Sequence, residues 1–199
     1  MDKLQEQELR ELIDSWVLPG FFLIGDIEAA VQDWCDDVGA DSDAALGILQ
    51  ERWKQRLAEQ TTWADTGDYG KLSAAFAELT AAGILSRMNF TCCATCATTD
   101  IYEERTPKPD DSDSYGYREW AYVYFHQQDA DRLAEPNAQL YLGFGAFRPH
   151  QQLTEYDTDT LVGQQIVDVL RRHGLEVTWS GDCGERILVE VGQWRKPLP

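Results

Sequence analysis

Two runs decide the fold: residues 117–125, YREWAYVYF, and residues 140–147, LYLGFGAF. Both are dense in aromatic and apolar side chains, and both read as strands. In the second, Gly143 and Gly145 mark a bulge or a close backbone approach. In the first, alternation places Trp120, Tyr122 and Tyr124 on one face. Such a face belongs to a core, and becomes a protein-docking surface only if it is open to solvent. Outward from these runs, Ile84-Leu85 reads as a short buried strand. Residues 176–180 and 186–191 form two more, joined by the turn Gly181-Asp182-Cys183-Gly184. Helices fall between them. One runs from Cys92 to Arg105, and one over residues 157–173 carries Leu161, Ile166, Val169 and Leu170 on a stripe stopped by Gly174. With a helix carrying Leu72, Phe76 and Leu79 placed before Gly83, the order is α, β, α, β, β, α, β, β. Without its first helix and last strand this is β-α-β-β-α-β, the split-βαβ or ferredoxin-like arrangement. The expected class is α+β, with a mainly antiparallel sheet carrying helices mainly on one face.

The residues ahead of this pattern read as helices. Leu9, Leu12, Ile13, Trp16 and Val17 make one apolar stripe, ended by Pro19-Gly20. Asp26 is placed as the N-cap of a second helix bearing Ile27, Ala30, Val31, Trp34, Cys35 and Val38, with Gly39 as its left-handed terminator. A third starts near Asp43 and turns Leu46, Leu49, Trp53 and Leu57 inward. Composition shifts to Thr, Asp and Gly over residues 61–70. The expected organisation is therefore a helical segment, 1–62, and an α+β domain, 63–199.

Of 199 residues, 43% are hydrophobic, enough for a packed core, while 17 basic against 35 acidic residues leave a net charge of −18. Residues 1–82 carry 6 basic and 17 acidic groups. So acidic a chain repels phosphate backbones, which argues against nucleic-acid binding and suits a protein partner with a basic surface. The longest greasy stretch, residues 16–24, is broken by Pro19 and Gly20 and is too short to span a membrane. The acidic N-terminus is unlike a secretory leader, and five cysteines, three of them crowded together, are unlike a disulfide framework. Reduced thiols and a cytoplasmic location are expected, so the sequon Asn89-Phe90-Thr91 carries no weight.

The blocks NFTCCATC (89–96), YFHQQD (124–129), LYLGFGA (140–146), GLEVTW (174–179) and Arg186-Ile187 together resemble a bacterial domain family of unknown function. The resemblance covers residues 72–195 and leaves the N-terminal helices outside. It departs at Ala97, where the family pattern implies a glycine. It implies no catalytic residue and no cofactor.

Cys93-Ala94-Thr95-Cys96 is a C-x-x-C at the expected start of a helix, a position that favours the thiolate. The strand order is not that of thioredoxin, and no Trp precedes the motif. A metal site needs four donors, and Cys92, Cys93, Cys96 and His126 are the candidates, with Cys183 more distant. The plainer reading is small packed thiols, with no metal and no cofactor. His126 could act as a general base oriented by Asp129, although that spacing also describes a helix cap. The catalytic candidates are thus Cys93, Cys96, His126 and Asp129. Asp111-Ser112-Asp113 imitates a calcium loop, but Tyr115 and Tyr122 occupy its fifth and twelfth positions, which rejects it. Gly143-Phe144-Gly145 lacks the third glycine of a dinucleotide fingerprint. No assembled catalytic group is legible. The expectation is a protein-interaction or regulatory module rather than an enzyme, with a thiol/redox or metal-dependent protein centred on the CCxxC cluster as the alternative.

Overall fold

Local caps and apolar stripes set the first helices of the structure, a computed structural model that describes residues 1–109, 115–149 and 152–199. Helix α1 (Lys3–Val17) opens on a capping box. The Asp2 carboxylate accepts from the backbone N–H of Leu4 and Gln5, and the Gln5 side chain accepts from Asp2 N–H, each at 2.9 Å. Helix α2 (Ile24–Val38) ends at Gly39 with φ +66°, as its sequence predicts. It begins earlier than expected. Leu23 is the N-cap and Asp26 sits inside the first turn, where its charge acts on the helix dipole instead of capping. Helix α3 (Ser42–Gln60) is capped by Asp41 and buries Ala45, Leu49 and Arg56. Leu57, expected inward, is exposed. These three helices share one buried cluster, built on Leu9, Ile13, Val17, Ile27, Val31, Cys35, Ala45 and Leu49.

Helix α4 (Gly67–Ala81) leads into β1 (Ile84–Arg87), α5 (Ala94–Asp100), β2 (Ala121–Tyr124), the short α6 (Gln127–Ala130), a 3-10 turn (Asp131–Ala134), β3 (Ala138–Ala146), α7 (Glu155–Arg172), β4 (Glu176–Thr178) and β5 (Ile187–Val191). The class is α+β, with the helical segment in place. Strand order is β1-β2-β3-β5-β4. Only β1 and β2 are parallel, and every other neighbouring pair is antiparallel. The split-βαβ arrangement occurs once. β3 and β4 both run antiparallel to β5, which lies between them, so β3-α7-β4 is split. The first unit is not. β1 pairs directly with β2, so β1-α5-β2 is an ordinary crossover.

The two sheet faces differ. Ile84, Val123, Leu140, Leu142, Ile187 and Val189 pack against Leu72, Phe76 and Leu79 of α4 and against Val162, Ile166 and Leu170 of α7. Leu161, expected on that stripe, is exposed. The opposite face carries Leu85, Tyr122 and Tyr124 and is covered by Ala97 of α5 and by Ile101, its C-cap. The glycines of β3 explain how two tyrosines fit there. Tyr122 stands opposite Gly145 and Tyr124 opposite Gly143. A Cβ on Gly145 would lie 2.6 Å from the Tyr122 hydroxyl, and one on Gly143 2.8 Å from the Tyr124 ring. Tyr122 and Tyr124 stack with centroids 6.0 Å apart. Trp120 leaves that face, its indole N–H donating to Ala82 O at 3.2 Å. Tyr124 is therefore buried and Tyr122 half-buried against β3 and the α5 segment.

Helical segment and sheet meet at Trp194. Its indole N–H donates to Pro19 O at 3.0 Å, and its ring packs on Phe21 and Tyr69. Among the described residues no helix is long and apolar enough to cross a membrane.

Candidate functional site

The segment after β1 extends the parallel ladder before turning into α5. Phe125 N–H donates to Arg87 O (3.2 Å), Phe90 N–H to Phe125 O (2.9 Å), and Gln127 N–H to Thr91 O (3.0 Å). On either side of Phe90 the chain is left-handed, with φ +51° at Asn89 and +56° at Thr91. For a β-branched residue such as Thr91 that conformation is a genuine outlier, worth about 1–3 kcal/mol of strain. Cys92 follows at once, and Cys93 is the N-cap of α5. The helix is held from below by Ala97 and Ile101, both fully buried, and by Thr98 Oγ1, 3.3 Å from the Tyr124 hydroxyl.

This geometry brings the Sγ atoms of Cys92, Cys93 and Cys96 within 4.8 Å of one another, with Cys92 exposed and the other two half-buried. Cys92 and Cys96 are 3.5 Å apart, sulfur to sulfur. The backbone N–H of Cys96, and then the Cys96 and Cys92 thiols, hold the Cys93 thiol below its ordinary value. Hydrogen bonds from Cys92 and Cys93 together with their charge push Cys96 up to about 11. Cys35, buried in α2, and Cys183, in the turn after β4, are not members.

His126 does not join the three sulfurs. It is 5% exposed, with Nε2 3.1 Å from Asp129 Oδ2. Asp129 is 4% exposed and serves more than one partner. Its carboxylate accepts from the His126 backbone N–H at 3.3 Å and from Arg186 at both oxygens, 3.0 and 2.5 Å. Arg186 also donates to Tyr141 O. Burial pushes the His126 imidazole below its ordinary value, opposing the pull of Asp129. Asp129 thus caps α6 and anchors Arg186, while His126 is enclosed and apart from the thiols. Arg186, the partner of Asp129, is not among the site candidates read from the sequence. It lies 57 positions from Asp129, so only the folded chain brings the two together. The calcium-like run at residues 111–114 lies outside the described residues. A separate cleft of about 380 Å³ lies at the seam between helical segment and sheet, lined by Arg56, Trp63, Trp194 and Arg195.

Fold and site together define an α+β protein carrying an accessible three-cysteine cluster and a buried His126-Asp129 pair held by the half-exposed Arg186. The chain belongs to the family described as "Domain of unknown function (DUF6891)", whose model matches residues 2–198. That match bears out the family resemblance and extends it over the N-terminal helices, which the recognised blocks had left out. No curated protein and no solved structure matches the chain.

Proposed function

We propose that the protein binds a thiophilic metal ion of the zinc class through Cys92, Cys93 and Cys96. The convergence of three sulfur atoms within 4.8 Å carries this reading. Ligand sulfurs about 2.3 Å from a tetrahedral zinc ion lie about 3.8 Å apart, which this loop accommodates with small side-chain rotations. A dithiol needs only two sulfurs, and the third has no role in it. The net charge of −18 further favours a cation over an anion at an accessible site. Thiolate donors need a reducing compartment, so a cytoplasmic location belongs to the same proposal.

The test is a Zn²⁺ titration of reduced protein against a chromophoric chelator, with Cys92→Ser, Cys93→Ser and Cys96→Ser alongside. One ion per chain, and weaker binding in all three variants, is the expected result. Binding that survives every substitution contradicts it. A second reading, dithiol–disulfide exchange, is favoured by the 3.5 Å approach of Cys92 and Cys96. There one thiolate attacks a small-molecule disulfide and expels a thiolate. The second protein thiol then closes the internal disulfide and expels the other. Rapid, reversible loss of two thiols on exposure to such a disulfide distinguishes it. An interaction role remains a proposal carried by charge alone: a partner with a basic surface, released as salt rises.

A further inference from the structure

We infer that the same three thiols form a site for trivalent arsenic, taken up as arsenous acid and held by one bond to each of Cys92, Cys93 and Cys96. The inference needs only the convergence of the three sulfurs in a reduced chain, so it goes beyond the zinc reading and does not depend on it. Donor number is the first argument. Zinc is four-coordinate and needs a further donor. Trivalent arsenic takes three sulfurs, and a lone pair fills the fourth corner of its pyramid. Among the described residues the group contains three donor atoms, all of them sulfur. Spacing is the second argument. The angles of that pyramid are narrower than tetrahedral, and its bonds are of similar length, so its sulfurs lie closer together than the ~3.8 Å of zinc-bound sulfurs. Cys92 and Cys96 already stand 3.5 Å apart.

Charge and access point the same way. A divalent zinc ion on three thiolates leaves one negative charge, in a chain that already carries −18. Arsenous acid is uncharged at neutral pH, and its three-sulfur adduct is uncharged too. Cys92, Ala94 and Thr95 are exposed, so small side chains border the way in. The loop is set before anything binds. Phe90 N–H and Thr91 O bond to the backbone of Phe125 and Gln127, Ala97 and Ile101 seat α5 on the sheet, and Thr91 Oγ1 donates to Cys93 O at 3.4 Å. That preorganisation lowers the cost of ordering three thiols around one atom. Each bond forms by exchange: a thiol S–H and an As–OH give an As–S bond and a molecule of water. Three exchanges release three waters, arsenic stays trivalent, and no oxidant or reductant takes part. After the first bond the other two are intramolecular, which raises affinity by about 10²–10⁴ over a single thiol.

The experiment uses the full, reduced, zinc-free chain with arsenite alone as the probe. Native mass spectrometry is expected to show one arsenic per chain replacing three hydrogens, and arsenic-edge X-ray absorption to show all three sulfurs and no oxygen around it. Cys92→Ser, Cys93→Ser and Cys96→Ser each remove one As–S bond. Each is expected to keep an oxygen neighbour on arsenic and to weaken binding by about 100-fold or more. Cys183→Ser, outside the group, is expected to change neither readout. If a serine variant fails to fold, the wild-type mass and spectrum decide. No adduct, a wild-type adduct that keeps an As–O bond, or an adduct lost in Cys183→Ser overturns the inference. Zn²⁺ binding without an arsenic adduct also overturns it and leaves the zinc reading standing. An arsenic adduct on all three sulfurs in a chain that binds no Zn²⁺ supports the inference and overturns the zinc reading instead.

Discussion

Replacing Asp131 with asparagine is expected to stabilise the protein at neutral pH, against the usual consequence of removing a carboxylate. Asp131 opens the 3-10 turn after α6, and its Oδ1 is buried without a hydrogen-bond partner among the described residues. Burial, and then the charge of Asp129, raise its carboxyl from the ordinary 3.8 to about 6. A gap of roughly 2 units at about 1.36 kcal/mol each sets a ceiling near 3 kcal/mol on the cost of ionising it in the fold. The residue is partly open to solvent, and screening reduces this to about 1–2 kcal/mol. Because the folded value lies above the unfolded one, the folded state holds more protons between them. Stability therefore rises as pH falls through 6 and is fully recovered below about 3.8. The amide of the variant keeps the shape of the carboxyl group and carries no charge at any pH. Urea unfolding of wild type and Asp131→Asn at about pH 7.5 should differ by that 1–2 kcal/mol, and the curves should converge near pH 4. An unchanged or less stable variant at neutral pH, or a difference independent of pH, refutes the reasoning.

In Gly163→Ala the new methyl group lies 2.6 Å from the Trp179 ring and 2.9 Å from Phe144. A net loss of about 1–3 kcal/mol is expected despite the better helix propensity of Ala, read by thermal unfolding. Asp129→Asn leaves Arg186 without its bidentate partner. About 3 kcal/mol of destabilisation is expected, at the low end for a broken buried pair because Arg186 reaches solvent, and denaturant midpoints check it. Trp194→Phe keeps most of the ring packing but removes the bond to Pro19 O. It should cost about 1 kcal/mol and raise hydrogen exchange across the seam between α1 and the sheet.

What the sequence makes legible here follows from range. The spacing of Leu9, Ile13 and Val17 places α1, and Gly39 ends α2, because a helix stripe and a left-handed terminator are both local. Leu57 and Leu161 share the apolar spacing of their helices and still face solvent, since a stripe wider than the available core leaves its margin exposed. The α+β class is readable from the change of hydrophobic period. The neighbour order is not, because direct pairing of β1 with β2 depends on backbone contacts 37 positions apart in register (Ile84 with Ala121). Gly143 and Gly145 announce a close approach, but only register shows that Tyr124 and Tyr122 are what approaches. The site divides the same way. The spacing of Cys92, Cys93 and Cys96 is visible by eye, whereas the left-handed turn at Asn89 and Thr91 that turns the chain into them has no glycine to signal it. The bond between Asp129 and Arg186 joins residues far apart in the chain, beyond any motif.

The most direct test of the metal-thiolate reading is X-ray absorption at the zinc edge of reduced protein loaded with one equivalent of Zn²⁺. Three sulfur neighbours at about 2.3 Å are the expected protein ligands, with the sulfur count falling by one in Cys93→Ser. Coordination by oxygen and nitrogen alone, or the same coordination in wild type and Cys93→Ser, contradicts the assignment of Cys92, Cys93 and Cys96 as the working centre of this protein.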